Sequence, residues 1–233
     1  MKKIISMLLI TVLCCAFLFS CGNTEDTGKL YLVKQTMTDK SGTTTVEFLY
    51  NKEYQIVKQK TTAGGQSDTD SDIGYDENGY QNYQKAISKS GLITEIFITN
   101  DANGRKIETR MVQTYNGKET ETTTTYEYTD DYGSYIETST SGTTTTVTND
   151  EHGNEIARSN NRGQSATYEN KYSGELLIET ITTMTVGTKT TVTTMKYEYD
   201  SQGNKTKETS YDPDGNVTYT QTFEYSSKVK FVK

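Results

Sequence analysis

From about residue 30 onward, apolar and polar positions alternate along the chain. Val217, Tyr219, Phe223 and Tyr225 fall on one side of a period-two pattern, and Thr218, Thr220, Thr222 and Glu224 on the other. Ile107, Thr109 and Met111 oppose Lys106, Glu108 and Arg110 in the same way. This periodicity puts successive side chains on opposite faces of a β-strand. Thr runs at 122–125 and 143–146 strengthen it, because a branched Cβ suits a pleated surface and crowds a helix. Segments 92–98 and 176–181 are apolar on both faces, which predicts that these strands are the ones most covered.

The strands are separated by a recurring turn. Asp39 and Gly42, Asp76 and Gly79, Asp101 and Gly104, Asp130 and Gly133, Asp150 and Gly153, Asp200 and Gly203, and Asp212 and Gly215 all stand three apart. Asn160 and Gly163 are a close variant. Asp or Asn accepts a hydrogen bond from the backbone further on, and Gly takes the positive φ that closes a type I turn with a bulge. Pro213 sits where φ near -65° is wanted. Softer turns at Gly91, Gly117, Gly142, Gly174 and Gly187 fill the gaps. The pattern predicts an all-β fold: an antiparallel meander of roughly sixteen strands of about 6 to 11 residues. Its expected form is an extended, twisted or curled sheet, with a partly closed β-barrel as the alternative.

Tyr residues lead into several of these turns. Tyr126 and Tyr128 precede Asp130, Tyr197 and Tyr199 precede Asp200, and Tyr211 precedes Asp212. This text resembles the YD repeats of Rhs and teneurin-like shells, most clearly over 197–216. In that family the repeats build a long spiralling sheet. The resemblance implies local hairpin geometry and an extracellular setting, and implies no activity. Arg105 alone matches the family's usual Arg after the turn Gly.

The N-terminus has a different pattern. Lys2 and Lys3 precede an apolar run at 4–19 interrupted only by Ser6 and Thr11. That is short for a membrane-spanning helix, which needs about 20 residues, and right for a signal peptide. Leu18, Phe19, Ser20 and Cys21 end it and resemble the bacterial lipoprotein lipobox. The resemblance implies cleavage before Cys21, a diacylglyceryl group on its thiol, and a protein anchored to the bacterial membrane outside the cytoplasm. The expected organisation is a signal peptide at 1–20, a lipidated tether at 21–28 and a single β-repeat domain at 29–233.

Composition narrows the function classes. The chain has 233 residues, 32% of them hydrophobic, 18 Tyr, 43 Thr, no Trp and one His. Such a chain cannot fill a thick aliphatic core, which argues against a doubly wound α/β enzyme or a helical bundle. The formal charge is -7 and becomes more negative when Lys2 and Lys3 leave with the signal. Nucleic acid is therefore not an expected partner, since phosphate recognition needs a basic footprint. All three Cys lie at or before position 21, so the domain has no disulfide or thiolate metal site to draw on.

Candidate chemistry is sparse. His152 lies inside a turn, and nucleophilic or His-ligated metal sites need partners this chain lacks. Asp68, Asp70 and Asp72 alternate as in a calcium loop, but Ile73 and Gly79 occupy the places of the sharp-turn Gly and the bidentate Glu. A disordered polar loop after Gly64 and Gly65 accounts for the same residues. No cofactor and no catalytic residue are expected. The chain reads as a non-enzymatic surface lipoprotein that presents its repeat sheet to a protein or glycan partner. The alternative is a carrier or chaperone holding an apolar ligand in a curled sheet.

Overall fold

In the computed structural model, residues 29–64, 66–129 and 133–232 are described. Sixteen strands follow one another: β1 (Tyr31–Asp39), β2 (Gly42–Tyr50), β3 (Ile56–Ala63), β4 (Gln66–Tyr75), β5 (Gln81–Ser88), β6 (Ile93–Asn100), β7 (Lys106–Tyr115) and β8 (Lys118–Tyr128). The second half is β9 (Tyr135–Ser139), β10 (Thr144–Asn149), β11 (Glu155–Asn160), β12 (Gln164–Ser173), β13 (Leu176–Val186), β14 (Lys189–Tyr199), β15 (Lys205–Tyr211) and β16 (Val217–Ser226). Each strand pairs antiparallel with the next, and β16 returns to β1 from Tyr31↔Ser226 to Asp39↔Tyr219.

The meander therefore closes into a complete barrel, further than the extended sheet the sequence favours and in line with its alternative. An up-and-down meander with an even strand number leaves its first and last strands antiparallel, so the same ladder can join them. Closure removes both edges, which an open sheet would expose to stray pairing. Lys230 O accepts from Tyr50 N at 2.9 Å, and Val232 N donates to Tyr50 O at 2.9 Å, which straps the C-terminal segment parallel to the end of β2.

Strand register assigns the two faces. Gln35 pairs with Val46 and with Phe223, Phe48 with Gln59, and Val147 with Arg158. Most of the buried residues, including Gln35, Phe48, Tyr50, Ser71, Thr94, Val147, Ala166 and Phe223, share this inward side. Sixteen strands at ~4.8 Å spacing give a perimeter of about 77 Å and a width of at least ~24 Å. Opposite walls are then too far apart to interdigitate, and a barrel of this size keeps a watery lumen. Inner side chains pack along the wall instead, as where Tyr219 Oη reaches Met195 Sδ at 3.6 Å, two strands away.

A single-layer wall also explains why 92–98 and 176–181 are not the best covered strands. Among the described residues no second layer lies over the outer face, and Phe97 is sheltered there by Tyr83 at 5.3 Å and the Arg110 guanidinium at 4.1 Å. The apolar core is a local cluster of Leu32, Phe48, Tyr50 and Phe223 where β16, β1 and β2 meet.

Closure is directly testable. Thr36 and Thr222 are register partners across the β1/β16 seam, and a Thr36→Cys, Thr222→Cys double variant should form an intramolecular disulfide under mild oxidation. An open sheet would hold these positions about 75 Å apart, and only intermolecular products would then appear on a non-reducing gel.

Candidate functional site

The two ends of the barrel differ in chemistry. Turns following the even-numbered strands gather at one mouth, together with the start of β1 and the C-terminal strap. At this mouth the inward face of each even strand ends in Tyr or Asn: Tyr50, Tyr75, Asn100, Tyr128, Asn149, Tyr172, Tyr199 and Tyr225. Most of these side chains bond a main-chain carbonyl near the start of the preceding strand. Tyr50 Oη donates to Leu32 O at 2.6 Å, Tyr75 to Ile56 O at 2.7 Å, Tyr199 to Leu177 O at 2.8 Å and Tyr225 to Lys205 O at 3.1 Å. Asn100 Nδ2 reaches Gln81 O at 3.0 Å and Asn149 Nδ2 reaches Gly133 O at 3.0 Å. Tyr172 Oη instead donates to Asp150 Oδ2. The repeat unit is therefore a pair of strands, with a corner side chain tying each pair together.

The following Asp folds the chain onward. Asp76 Oδ1 accepts from Asn78 N and Tyr80 N at 2.9 Å each, and Gly79 N donates to Asp76 O at 3.0 Å. Gly79 takes φ +84, the left-handed region that the turn requires. Gly104 has a second reason to be Gly: a Cβ there would lie 2.3 Å from the Tyr80 ring. At Asp200 and Asp212 the carboxyl is held below the usual range by bonds from Asn204 and Asn216 respectively.

Just inside this mouth, apolar side chains on six even strands, Phe48, Ile73, Ile98, Tyr126, Val147 and Phe223, alternate with polar register partners on the odd strands, Gln59, Gln84, Thr109, Glu137, Arg158 and Gln35. Deeper inward positions are mixed, with Ser71, Thr124, Thr145 and Gln221 beside Val46, Ile96 and Met195. A shallow recess on this wall is lined by Thr124, Tyr126, Glu137, Ser139, Thr143 and Thr145. Beside it, Arg158 places Nε 2.8 Å and Nη2 3.0 Å from the two Glu155 oxygens, and Nη1 3.3 Å from Glu137 Oε1. The bonds from Glu155 raise the Arg158 pKa further above its ordinary value. These charges satisfy one another, which leaves no free acid or base at the recess.

The outer wall is a lattice of Thr and cross-strand ion pairs. Lys34 meets Glu224 at 2.7 Å, Lys58 meets Asp72 at 3.3 Å, Lys85 meets Glu95 at 3.3 Å, Arg110 meets Glu121 at 3.2 Å and Lys207 meets Glu198 at 3.0 Å. A barrel that spans a membrane turns an apolar band about 25 Å tall to the lipid, and a Lys or Arg at mid-depth costs roughly 2–4 kcal/mol. This wall carries formal charge on strand after strand, so its solvent is water. No helix among the described residues is long and apolar enough to cross a membrane either.

The residues singled out from sequence fall as follows. Asp68, Asp70 and Asp72 are in strand β4, not in a polar loop. Asp70 and Asp72 are exposed and pair in register with Lys60 and Lys58. Alternate positions on one face are separated by about 6.8 Å along the strand, and the described residues contain no group of three or more His, Cys, Asp or Glu side chains placed to hold a metal. His152 stacks on Tyr172 at 4.3 Å, with Nδ1 3.3 Å from Glu175. Cys21, with the signal and tether segments, lies outside the described residues, as do Asp130 and Lys233. The Tyr-rich faces line the lumen mouth more than the exterior. The corner role was signalled in the sequence at Tyr75 and Tyr199, each immediately before a turn Asp; Tyr50, Tyr128, Tyr172 and Tyr225 have no Asp next to them.

These features define an all-β, sixteen-stranded up-and-down barrel with a hydrophilic exterior. No protein-family model matches the chain, and no curated protein matches it in sequence. Among solved structures, a porin-like protein from Bacteroides vulgatus is 12% identical, with a TM-score of 0.56 over 86% of this chain and 100% of that one. A porin-like protein from Bacteroides uniformis is 14% identical, with a TM-score of 0.46 over 84% and 98%. The Photorhabdus luminescens Tc holotoxin pore is 19% identical, with a TM-score of 0.32 over 76% of this chain and 9% of that one. The first score supports a shared barrel fold; the other two are too low to support one.

The buried hydroxyls set a pH limit. Burial pushes Tyr75, Tyr135 and Tyr172 up to about 12, while an unfolded Tyr titrates near 10. A raised folded-state pKa contributes stability that is complete below the unfolded value and lost as pH rises through the folded one. Chemical denaturation should therefore show stability flat up to about pH 9 and falling steeply between about pH 10 and 12. Unchanged stability across that window would mean that these hydroxyls are not buried donors.

Proposed function

We propose that the chain is a non-enzymatic, extracytoplasmic lipoprotein, anchored through Cys21, whose water-borne barrel is held out for a protein or glycan partner. The carrying observation is the charged outer wall. A barrel that cannot enter lipid needs another attachment if it works at a membrane, and the sequence ending at Cys21 resembles one. Two acyl chains are the usual requirement for stable anchoring. The likeness to a porin-like Bacteroides protein agrees with a place in the cell envelope. A binding role fits the mutual satisfaction of Arg158, Glu155 and Glu137 beside the recess. Tyr and Thr surfaces supply hydroxyls and ring faces for polar ligands at small entropic cost.

A second reading rests on the inward apolar side chains Phe48, Ile73, Ile98, Val147 and Phe223, interleaved with polar neighbours. A carrier would use them for the apolar part of an amphipathic ligand. The Thr and Gln positions deeper in the lumen weigh against a wholly apolar one.

Cells producing the full chain should incorporate a clickable palmitate analogue into the mature protein, and Cys21→Ala should abolish the label. Retained label in the variant would overturn the anchor. Native mass spectrometry of the full protein isolated from membranes should show the acylated chain alone. A bound species of several hundred daltons would favour the carrier instead.

A further inference from the structure

At the mouth where β1 begins and β16 ends, the rim carries an aromatic patch unlike the rest of the exterior. Tyr54 stacks on Tyr31 with ring centroids 4.9 Å apart, and Phe231 meets Tyr54 edge-on at 5.6 Å. Tyr54, Phe231 and Val232 are 44%, 47% and 46% exposed, although nothing polar demands it. The platform is preorganised. Tyr54 sits at φ +60, a conformation few non-Gly residues adopt, and its turn is pinned by Asn51 Oδ1, which accepts from Glu53 N at 3.0 Å and Gln55 N at 2.9 Å. Exposed lysines surround it: Lys29, whose Nζ lies 5.5 Å from the Tyr31 ring, with Lys52, Lys228 and Lys230. Against these stand Glu53 in the same turn and Glu47, which pairs with Lys230 at 3.2 Å.

We propose that this seam of the rim docks on the lipid headgroups of the membrane that carries the Cys21 anchor. The inference rests on the lipoprotein reading and deepens it. Eight residues separate Cys21 from Lys29, and eight residues reach at most about 28 Å. Acylation at Cys21 therefore confines this mouth, and not the opposite one, to the bilayer surface. Aromatic rings with an apolar body and a polar tip occupy that depth, and lysine stems extend along it with their ammonium groups toward phosphate. The rest of the mouth is acidic on balance, with Glu77, Glu151 and Glu175 beside an Asp101–Arg105 pair at 2.8 Å, so contact is restricted to the seam and the barrel leans on one side of its rim.

The chain contains no Trp, so single Trp variants report position without background. Full-length Phe231→Trp, Tyr54→Trp and Val217→Trp proteins would be isolated from membranes. Each would be reconstituted into phosphatidylethanolamine/phosphatidylglycerol vesicles with brominated acyl chains. Val217 is 52% exposed beside the opposite mouth. Phe231→Trp and Tyr54→Trp should lose about half or more of their emission and shift to the blue, as rings at the interface do, while Val217→Trp stays unquenched. Mass analysis of the N-terminal peptide separates the two layers of the argument. An acylated chain whose seam Trp is unquenched, or whose three Trp variants are quenched alike, overturns the docking alone. A chain without acyl groups overturns the anchor and the docking together.

Discussion

The ladder between β1 and β16 is the interaction on which the rest of the structure depends. Fifteen hairpin pairings are local in sequence and cheap to close. The sixteenth joins residues almost two hundred positions apart, from Tyr31↔Ser226 to Asp39↔Tyr219. Without it there is a ribbon with two exposed edges and two equivalent faces. With it there is an inside, and the period-two pattern of every strand acquires a meaning. The chain reinforces this seam more than any other. Among the described residues the buried apolar cluster lies there, Tyr50 is fully buried in it, and the C-terminal strap bonds Tyr50 from the far side.

A single-layer barrel of this width has little core, and its stability is spread along the wall. Corner tyrosines satisfy main-chain carbonyls at one mouth, Asp turns fix each hairpin, and Thr fills both faces with branched side chains that favour extended backbone. Surface ion pairs such as Lys34 with Glu224 contribute little each. Their greater effect is on register, because a slip of one residue would turn every charge into the lumen.

The same arrangement bears on function. An outer wall of charge keeps the barrel in water, the inner wall mixes hydroxyls and amides with apolar side chains, and the exposed aromatic patch of Tyr31, Tyr54 and Phe231 lies beside the point where the chain enters the barrel. Under the proposed anchor at Cys21, the barrel would be attached at one end and presented at the other. Asp76 and Asp200 serve turns, Asp70 and Asp72 face lysines across β3, and Glu137 and Glu155 meet Arg158.

Much of this was legible in the sequence because it is local. Alternation at 217–225 specifies a strand, and Asp212, Pro213 and Gly215 specify its turn through short-range sterics and hydrogen bonds. Other features were not, because they depend on residues far apart. Asp70 and Asp72 look like a loop until β3 is laid beside them and Lys58 and Lys60 become their partners. Tyr199 looks like sheet surface until its hydroxyl is seen on Leu177 O. The sequence by itself determined the all-β class, the hairpins and their turns, since each is settled within a few residues of backbone. Only the tertiary structure decided that the sheet closes, which face is the lumen and what the tyrosines bond, because those follow from a pairing between the two ends of the domain that no local pattern encodes.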